Sequence, residues 1–245
     1  MKRALITGAN KGVGFETARQ LLNNGYYVYL GSRTLENGKA AIAQLKAEGL
    51  DQVEVIQLDV TDGDSVRSAR EEIGTKTDVL DVLVNNAGIN GGWPQSSLEA
   101  SVDQYKTVFD TNLYGVVRVT QAFIDLLRKS PEPRIVNVSS SGSSLTLHSD
   151  PAWKYYSHKA ALYPSSKAAL NMYTIDLAYQ LKDTAFKVNA VCPGFVATDF
   201  NGHRGTGTVQ EGGARIAKYA MIGQEGPTGK FIAEEYNPET GETPW

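Results

Sequence analysis

Residues 3–25 read RALITGANKGVGFETARQLLNNG. The stretch opens on a short apolar run, turns through Gly8, Gly12 and Gly14, and continues as a helical pattern that stops at Gly25. A strand, a glycine-rich turn and a helix in that order form the first half of a parallel βαβ unit. The rest of the chain repeats the rhythm. Apolar runs recur at 26–32 (YYVYLGS), 53–59 (VEVIQLD), 81–86 (DVLVNN), 134–140 (RIVNVSS) and 187–192 (KVNAVC). Each is short, bounded by turn residues and nearly continuous in its apolar character, as strands buried on both faces require. Helical patterns lie between most of them. One is LENGKAAIAQLKAEG (35–49), which also ends in the residue best suited to stop a helix. KFIAEEY (230–236) is a candidate for a seventh, edge strand. The expected fold class is α/β: a single-domain, Rossmann-type, doubly wound parallel sheet of about seven strands with helices on both faces. Residues 1–245 read as one domain without a linker.

Composition narrows the function classes. Charged residues make up 21% of the chain and the formal net charge is −3, with no long basic run, which argues against a nucleic-acid partner. Cys192 is the only cysteine, so no internal disulfide forms and a reducing compartment is compatible. His148, His158 and His203 lack metal-ligand spacing with Cys192 or one another, so no metal is expected. There is no signal-peptide pattern and no apolar stretch long enough to span a membrane, which makes the cytoplasm the default expectation.

The first βα turn is a candidate dinucleotide site. In TGANKGVG, the backbone around Gly8, Asn10, Lys11, Gly12, Val13 and Gly14 can approach a pyrophosphate at the positive end of the first helix. The glycine spacing, G-x-x-x-G-x-G, differs from the more general G-x-G-x-x-G. The second strand ends in GSRT, where an acid would be expected for a cofactor with two free ribose hydroxyls. Ser32 and Arg33 stand there instead. Together with Lys11 they suit an adenosine 2′-phosphate, so NADPH is expected over NADH.

TGANKGVG, LDVTD, NNAG, TNLYG, IVNVSS, a Tyr-x-x-x-Lys pair and NAVCPGFVATDF occur in order along the chain. This set resembles the short-chain dehydrogenase/reductase family over essentially the whole sequence, and the tail looks most like its carbonyl-reductase branch. The resemblance implies that Asp59 and Val60 lie beside the adenine and that Asn86, Ala87 and Gly88 run along the cofactor. It places Pro193, Gly194, Val196 and Thr198 at the nicotinamide end. It implies a catalytic set of Asn112, Ser140, Tyr163 and Lys167. In that set the tyrosine is the proton donor, and the lysine contacts the nicotinamide ribose and lowers the tyrosine pKa. The serine steadies the carbonyl oxygen, and the asparagine holds a water.

The tyrosine needs a separate argument, because YYSHKAALYPSSKAAL (155–170) carries the pair twice, as Tyr155/Lys159 and Tyr163/Lys167. Family spacing from Ser140 favours Tyr155; spacing from Lys167 to Val188 favours Tyr163. Pro164 decides. A helix running from Tyr155 toward residue 180 would hold proline in its interior, at a cost of about 3 kcal/mol. A helix starting near Tyr163 holds it in the first turn, where it is tolerated. Tyr163 and Lys167 are therefore the expected pair, and Tyr155 and Lys159 fall in an insertion at about 143–162.

The expected activity is NADPH-dependent reduction of a ketone or aldehyde, with a small hydrophobic carbonyl compound as substrate. The alternatives are a dedicated steroid, quinone or acyl-thioester substrate, or a catalytically silent NADP-sensing protein. Expected walls of the substrate site are Trp93, the insertion with Trp153, Tyr155 and Tyr156, and the segment 195–218. The Gly-rich part of that segment is expected to be mobile. The resemblance also implies a homo-oligomer through the tyrosine helix, a contact that the insertion is placed to obstruct.

Overall fold

The computed structural model describes residues 1–245. Seven parallel strands form one sheet in the order β3-β2-β1-β4-β5-β6-β7. They are β1 (Arg3–Ile6), β2 (Tyr27–Ser32), β3 (Val53–Gln57), β4 (Val82–Asn85), β5 (Arg134–Val138), β6 (Lys187–Val191) and β7 (Phe231–Ile232). The helices are α1 (Gly12–Asn23), α2 (Leu35–Ala47), α3 (Gly63–Lys76), α4 (Val102–Phe109), α5 (Gly115–Leu127), α6 (Leu145–Ser149), α7 (Leu162–Gln180) and α8 (Val209–Ala220). The strand order reverses between β1 and β4, and that crevice is where ligands bind in open α/β sheets. Six of the expected strands appear, trimmed at their ends. The seventh is reduced to Phe231 and Ile232, because Gly241 and Glu242 fold back antiparallel onto the tail instead of extending it.

Both faces of the sheet are buried. Ala4, Ile6, Val28, Leu30, Val82 and Val84 face one apolar cluster, which takes in α1, α2 and α8. The residues between them, Leu5, Tyr29 and Leu83, face a second cluster with α3, α5 and α7. This alternation turns a continuous apolar run into two cores. The second face also carries a buried polar ladder. Asn85 Nδ2 donates to Asn137 Oδ1 at 2.9 Å and to Thr120 Oγ1 at 3.1 Å, and Asn137 Nδ2 donates to Thr174 Oγ1 at 2.9 Å. These bonds fix α7 in register on the sheet, since sliding it would strand buried amides.

Helix α8 lies against α1 at unusually close range. A side chain at Gly213 would collide with Glu16 of α1, and one at Gly212 would press Val196 at 3.1 Å. Glycine at both positions lets Ile216, Ala217 and Ala220 meet Ala18, Leu21 and Leu22. At the other end of the sheet, residues 141–161 form a short 3₁₀ turn, α6 and a run of turns before α7 begins. The C-terminal tail covers this segment: Ser144 Oγ donates to Pro244 O at 2.6 Å and Thr146 N to Trp245 O at 3.2 Å. Trp245 stacks on Phe231 with ring centroids 5.5 Å apart. No helix is long and apolar enough to cross a membrane.

Candidate active site

Gly8 and Gly12 both sit at φ +60°, in the left-handed region that glycine occupies without strain. A Cβ at Gly8 would come within 3.0 Å of Ala87 Cα, whereas one at Gly12 would meet only the Thr198 methyl, at 3.7 Å. The turn is thus tight on its β4 side and open toward Thr198. The N–H groups of Gly12, Val13 and Gly14 have no acceptor in the protein and crown the start of α1. Orphan donors at a helix N-terminus form an anion cradle, so these residues fit a dinucleotide pyrophosphate.

Asn86 locks this turn. Its Nδ2 donates to Thr7 O at 2.8 Å and to Gly8 O at 3.0 Å. Thr7 Oγ1 in turn accepts from the N–H groups of Asn86, at 3.0 Å, and Ala87, at 2.9 Å. A Cβ at Gly14 would collide with the Asn86 amide. We therefore expect Gly14→Ala to break the lock. The lost hydrogen bonds and the steric clash, about 2 kcal/mol, should lower Tm by roughly 4–8 °C. Differential scanning calorimetry, with cofactor titration alongside, checks both the melt and the accompanying loss of affinity.

At the β2 end the three expected groups are not equivalent. Arg33 is exposed and makes no ion pair. Ser32 is buried, and its hydroxyl donates to Thr34 O at 2.9 Å, so it points into the fold. Lys11 Nζ pairs with Asp199 Oδ2 at 2.9 Å, and Asp199 also meets His203 Nε2 at 3.0 Å. Both members of the Lys11 pair are well exposed, a setting in which an ion pair contributes only about 0–1 kcal/mol. A phosphate can displace it. Asp59, at the C-terminal end of β3, accepts from Thr61 N at 2.9 Å, and Val60 packs against Gly115.

Tyr163 and Lys167 share the first turns of α7, and Pro164 falls in its first turn. Tyr155 and Lys159 lie in the turns before it and share no helix. Lys167 is 3% exposed, and its Nζ donates to Val138 O at 2.7 Å, 5.8 Å from the Tyr163 ring centre. An ammonium carries three donors, and this is its one protein acceptor. A Cβ at Gly88 would come within 3.7 Å of Nζ and 3.3 Å of Asn112 Oδ1, so the segment after β4 passes directly over both groups. Asn112 is fully buried in a π-helical turn, Asp110–Tyr114. Its Nδ2 donates to Ile89 O and Ser166 Oγ, each at 2.9 Å, and its Oδ1 accepts from Ile89 N at 2.9 Å. Both amide hydrogens are committed, so any water held here would have to donate to the second lone pair of Oδ1 or use the backbone of that turn. Of the two serines after β5, Ser139 donates its hydroxyl to Asn171 Oδ1 at 2.6 Å. Ser140 accepts from Gly142 N at 3.3 Å, and its hydroxyl lies beside the Tyr163 phenol, where it lowers the phenol's pKa.

Burial pushes the Tyr163 phenol well above its ordinary pKa; the neighbouring Cys192 adds to this and Ser140 opposes it. Burial lowers Lys167 to about 8. Withdrawal from water thus dominates the protonation of the phenol in this state. A neutral phenol is the form a proton donor needs. Cys192 is itself buried and its thiol pKa is raised by burial, the behaviour of a small packed residue rather than a nucleophile.

The segment after β6 is more ordered than its glycines suggest. Thr206 N and Gly207 N donate to Phe195 O at 2.8 and 2.9 Å, and Ala197 N donates to Gly207 O at 2.9 Å. Gly205 lies close against the Val196–Ala197 backbone, an approach that a side chain would block. Gly205 thus serves close packing. Phe200 reaches over Tyr163, with ring centroids 5.1 Å apart, and its carbonyl accepts from Asn90 Nδ2 at 2.8 Å. Beyond it, the insertion and the tail enclose a cavity of about 300 Å³ lined in part by Ser141, Trp153, Tyr155 and Tyr236. Trp93 is 71% exposed and Tyr156 faces outward, so neither of these expected walls lines the cavity.

The short chain dehydrogenase family model matches residues 2–208. This chain belongs to the short chain dehydrogenase family. Family membership makes it an oxidoreductase. It is 34% identical to the (+)-neomenthol dehydrogenase of Capsicum annuum, over 94% of each chain. The structure of salutaridine reductase from Papaver somniferum superposes with a TM-score of 0.83 at 32% identity, covering 94% of this chain and 99% of that one. NADPH-bound carbonyl reductase from chicken fatty liver superposes at 0.85 with 26% identity, covering 100% and 99%.

In this short chain dehydrogenase the sequence reading missed three participants. Thr7 ties the glycine turn to β4. Asp199 occupies Lys11. Glu235 joins the tail to the insertion, accepting from Tyr155 Oη at 2.8 Å and from Lys154 Nζ at 3.1 Å. Thr7 had a readable signal, since a hydroxyl at the end of β1 beside the turn can bond a neighbouring strand. The two acids had none, as their partners lie far away in sequence.

Proposed function

We propose that this oxidoreductase uses NADPH to reduce a ketone or aldehyde, with a small hydrophobic carbonyl compound as substrate. The observation that carries the reading is a neutral phenol with the Ser140 hydroxyl beside it and, on the same helix, a buried ammonium with unused donors beneath the Gly88 segment. The groups around the cleft fit the cofactor. Gly8, Asn10, Gly12, Val13 and Gly14 would cradle the pyrophosphate, Asp59 and Val60 the adenine, and Asn86, Ala87 and Gly88 the middle. Pro193, Gly194, Val196 and Thr198 would border the nicotinamide. When bound, the cofactor supplies the hydride.

The chain's own residues supply position and protons. Ser140 donates a hydrogen bond to the carbonyl oxygen and stabilises the charge that builds there. Tyr163 gives its phenolic proton to that oxygen. Lys167, anchored on Val138 O, turns its remaining donors toward the ribose and stabilises the phenolate left behind. Asn112 acts through position: it ties Ile89 to Ser166 and so holds α7 under the cleft. The cavity beside Ser141 takes the apolar body of the substrate. Optical assay of NADPH consumption against ketones, aldehydes, quinones and acyl thioesters tests the reading. Absence of both consumption and NADPH binding would overturn it.

Cofactor choice rests on Arg33 and Lys11. Charge-assisted bonds to a 2′-phosphate contribute about 1.5–3 kcal/mol each, or roughly 10–100-fold in affinity. Arg33→Asp should remove that preference while sparing NADH. Equal kcat/KM for NADPH and NADH in the unaltered protein would exclude the assignment.

A further inference from the structure

The turn Pro193–Gly194–Phe195 follows β6 and borders the cleft. Its backbone is gripped from two sides. Arg215 Nη1 of α8 donates to Pro193 O at 2.8 Å, and Glu235 Oε2 accepts from Phe195 N at 2.9 Å. Gly194 lies between them at φ +90°, and a Cβ there would collide with the guanidinium and approach Glu235 Oε2 to 3.1 Å. The other carboxylate oxygen of Glu235 accepts from Tyr155 Oη and Lys154 Nζ of the insertion. Lys154 also lies over the Tyr155 ring, 4.6 Å from its centre. Tyr155 meets Phe195 edge-on at 6.3 Å. Glu235 itself lines the cavity that opens beside Ser141.

We propose that Glu235 is a positioning residue that sets the Pro193–Phe195 turn and couples it to the insertion. The inference rests on the reading of this cleft as a nicotinamide and carbonyl site. One carboxylate is the only protein acceptor for the Phe195 N–H and the only side-chain acceptor for Tyr155 and Lys154. With its side chain removed, the turn keeps Arg215 on its carbonyl and loses its grip on the N–H. The insertion at the same time loses its tether to the tail. The proton donor and the ammonium are anchored elsewhere, on α7 and Val138, so the chemical step at saturation is not the first thing to suffer. The role also explains the fate of the first Tyr-x-x-x-Lys copy: Tyr155 serves as a donor to Glu235, while Lys159 turns away to His148 O.

The test compares Glu235→Ala with Glu235→Gln, which keeps an oxygen acceptor of the same reach. For Glu235→Ala the expected result is about a tenfold rise in both the NADPH Kd, by fluorescence titration, and the ketone KM, with a much smaller change in kcat. Glu235→Gln should restore most of the loss. Amide hydrogen exchange at Phe195 should speed up in the alanine variant and return in the glutamine variant. A purely structural role would lower Tm without moving Kd or KM. Values of Kd and KM within twofold of the unaltered protein, or unchanged Phe195 exchange, would overturn the proposal. If the unaltered protein consumes no NADPH with any carbonyl compound, the reading of the site fails, and the Phe195 exchange comparison still decides whether Glu235 holds the turn.

Discussion

Tyr163→Phe is expected to slow single-turnover reduction by about 10²–10⁴-fold, the usual cost of losing a positioned general acid. The variant keeps the ring that packs against Phe200 and the contacts of α7, so its melt should match that of the parent. NADPH binding should survive, because the phenol is not its main contact. Tyr155→Phe is the paired control. It loses a hydrogen bond to Glu235 on the insertion, so it should shift KM while leaving hydride transfer intact. The opposite pattern, an inactive Tyr155→Phe beside an active Tyr163→Phe, would reassign the proton donor to the turns before α7.

The second large effect belongs to Lys167. Lys167→Met keeps the buried stem and removes the ammonium, so it should cost rate and cofactor affinity together. Loss of one preorganised charge costs about 10²–10³ in rate, and the lost ribose contacts add roughly tenfold in Kd. The same variant has a signature that needs no substrate. Burial lowers the folded-state pKa of Lys167 to about 8, against 10.5 unfolded. Between those values the unfolded chain binds the extra proton, so stability rises with pH. Below pH 8 both states are protonated, and the cost of burying the ammonium is constant. Relative to Lys167→Met, the parent should therefore gain on the order of 2–3 kcal/mol between pH 7.5 and pH 10. Denaturant unfolding at the two pH values measures it. Parallel profiles would mean that Lys167 is better solvated than its burial implies.

The parts of this molecule that were legible in the sequence are those written in local chemistry. Glycine fixed the stops of α1 and α2, where Gly25 and Gly49 turn through positive φ. Pro164 fixed the start of α7, because a proline ring excludes all but the first turn of a helix. Continuous apolar runs gave parallel strands. What stayed hidden depended on residues brought together by the fold. The spacing between Lys11 and Asp199, or between Tyr155 and Glu235, carries no periodicity, so one sequence cannot pair them. Ser32 is a related case. Its position at the end of β2 is visible in sequence, but the rotation that aims its hydroxyl at Thr34 rather than outward is decided by packing against α2. Gly205 and Gly207 look like part of a flexible stretch on composition, and only the fold shows the Phe195–Ala197 backbone they lie against.

The close contact between α1 and α8 bears on how the chain matures as it leaves the ribosome. Helix α1 emerges well before α8, with Ala18, Leu21 and Leu22 on one side. Its cover, Ile216, Ala217 and Ala220, lies some two hundred residues later. Pairings this distant form late, since loop closure precedes any reward from contact. Until α8 is made, the glycine turn is therefore attached to a helix with an uncovered greasy side, the kind of surface that aggregates or recruits chaperones. Truncation before residue 209 should leave a nascent chain that holds every residue of the proposed cofactor site and yet stays sticky and unable to bind.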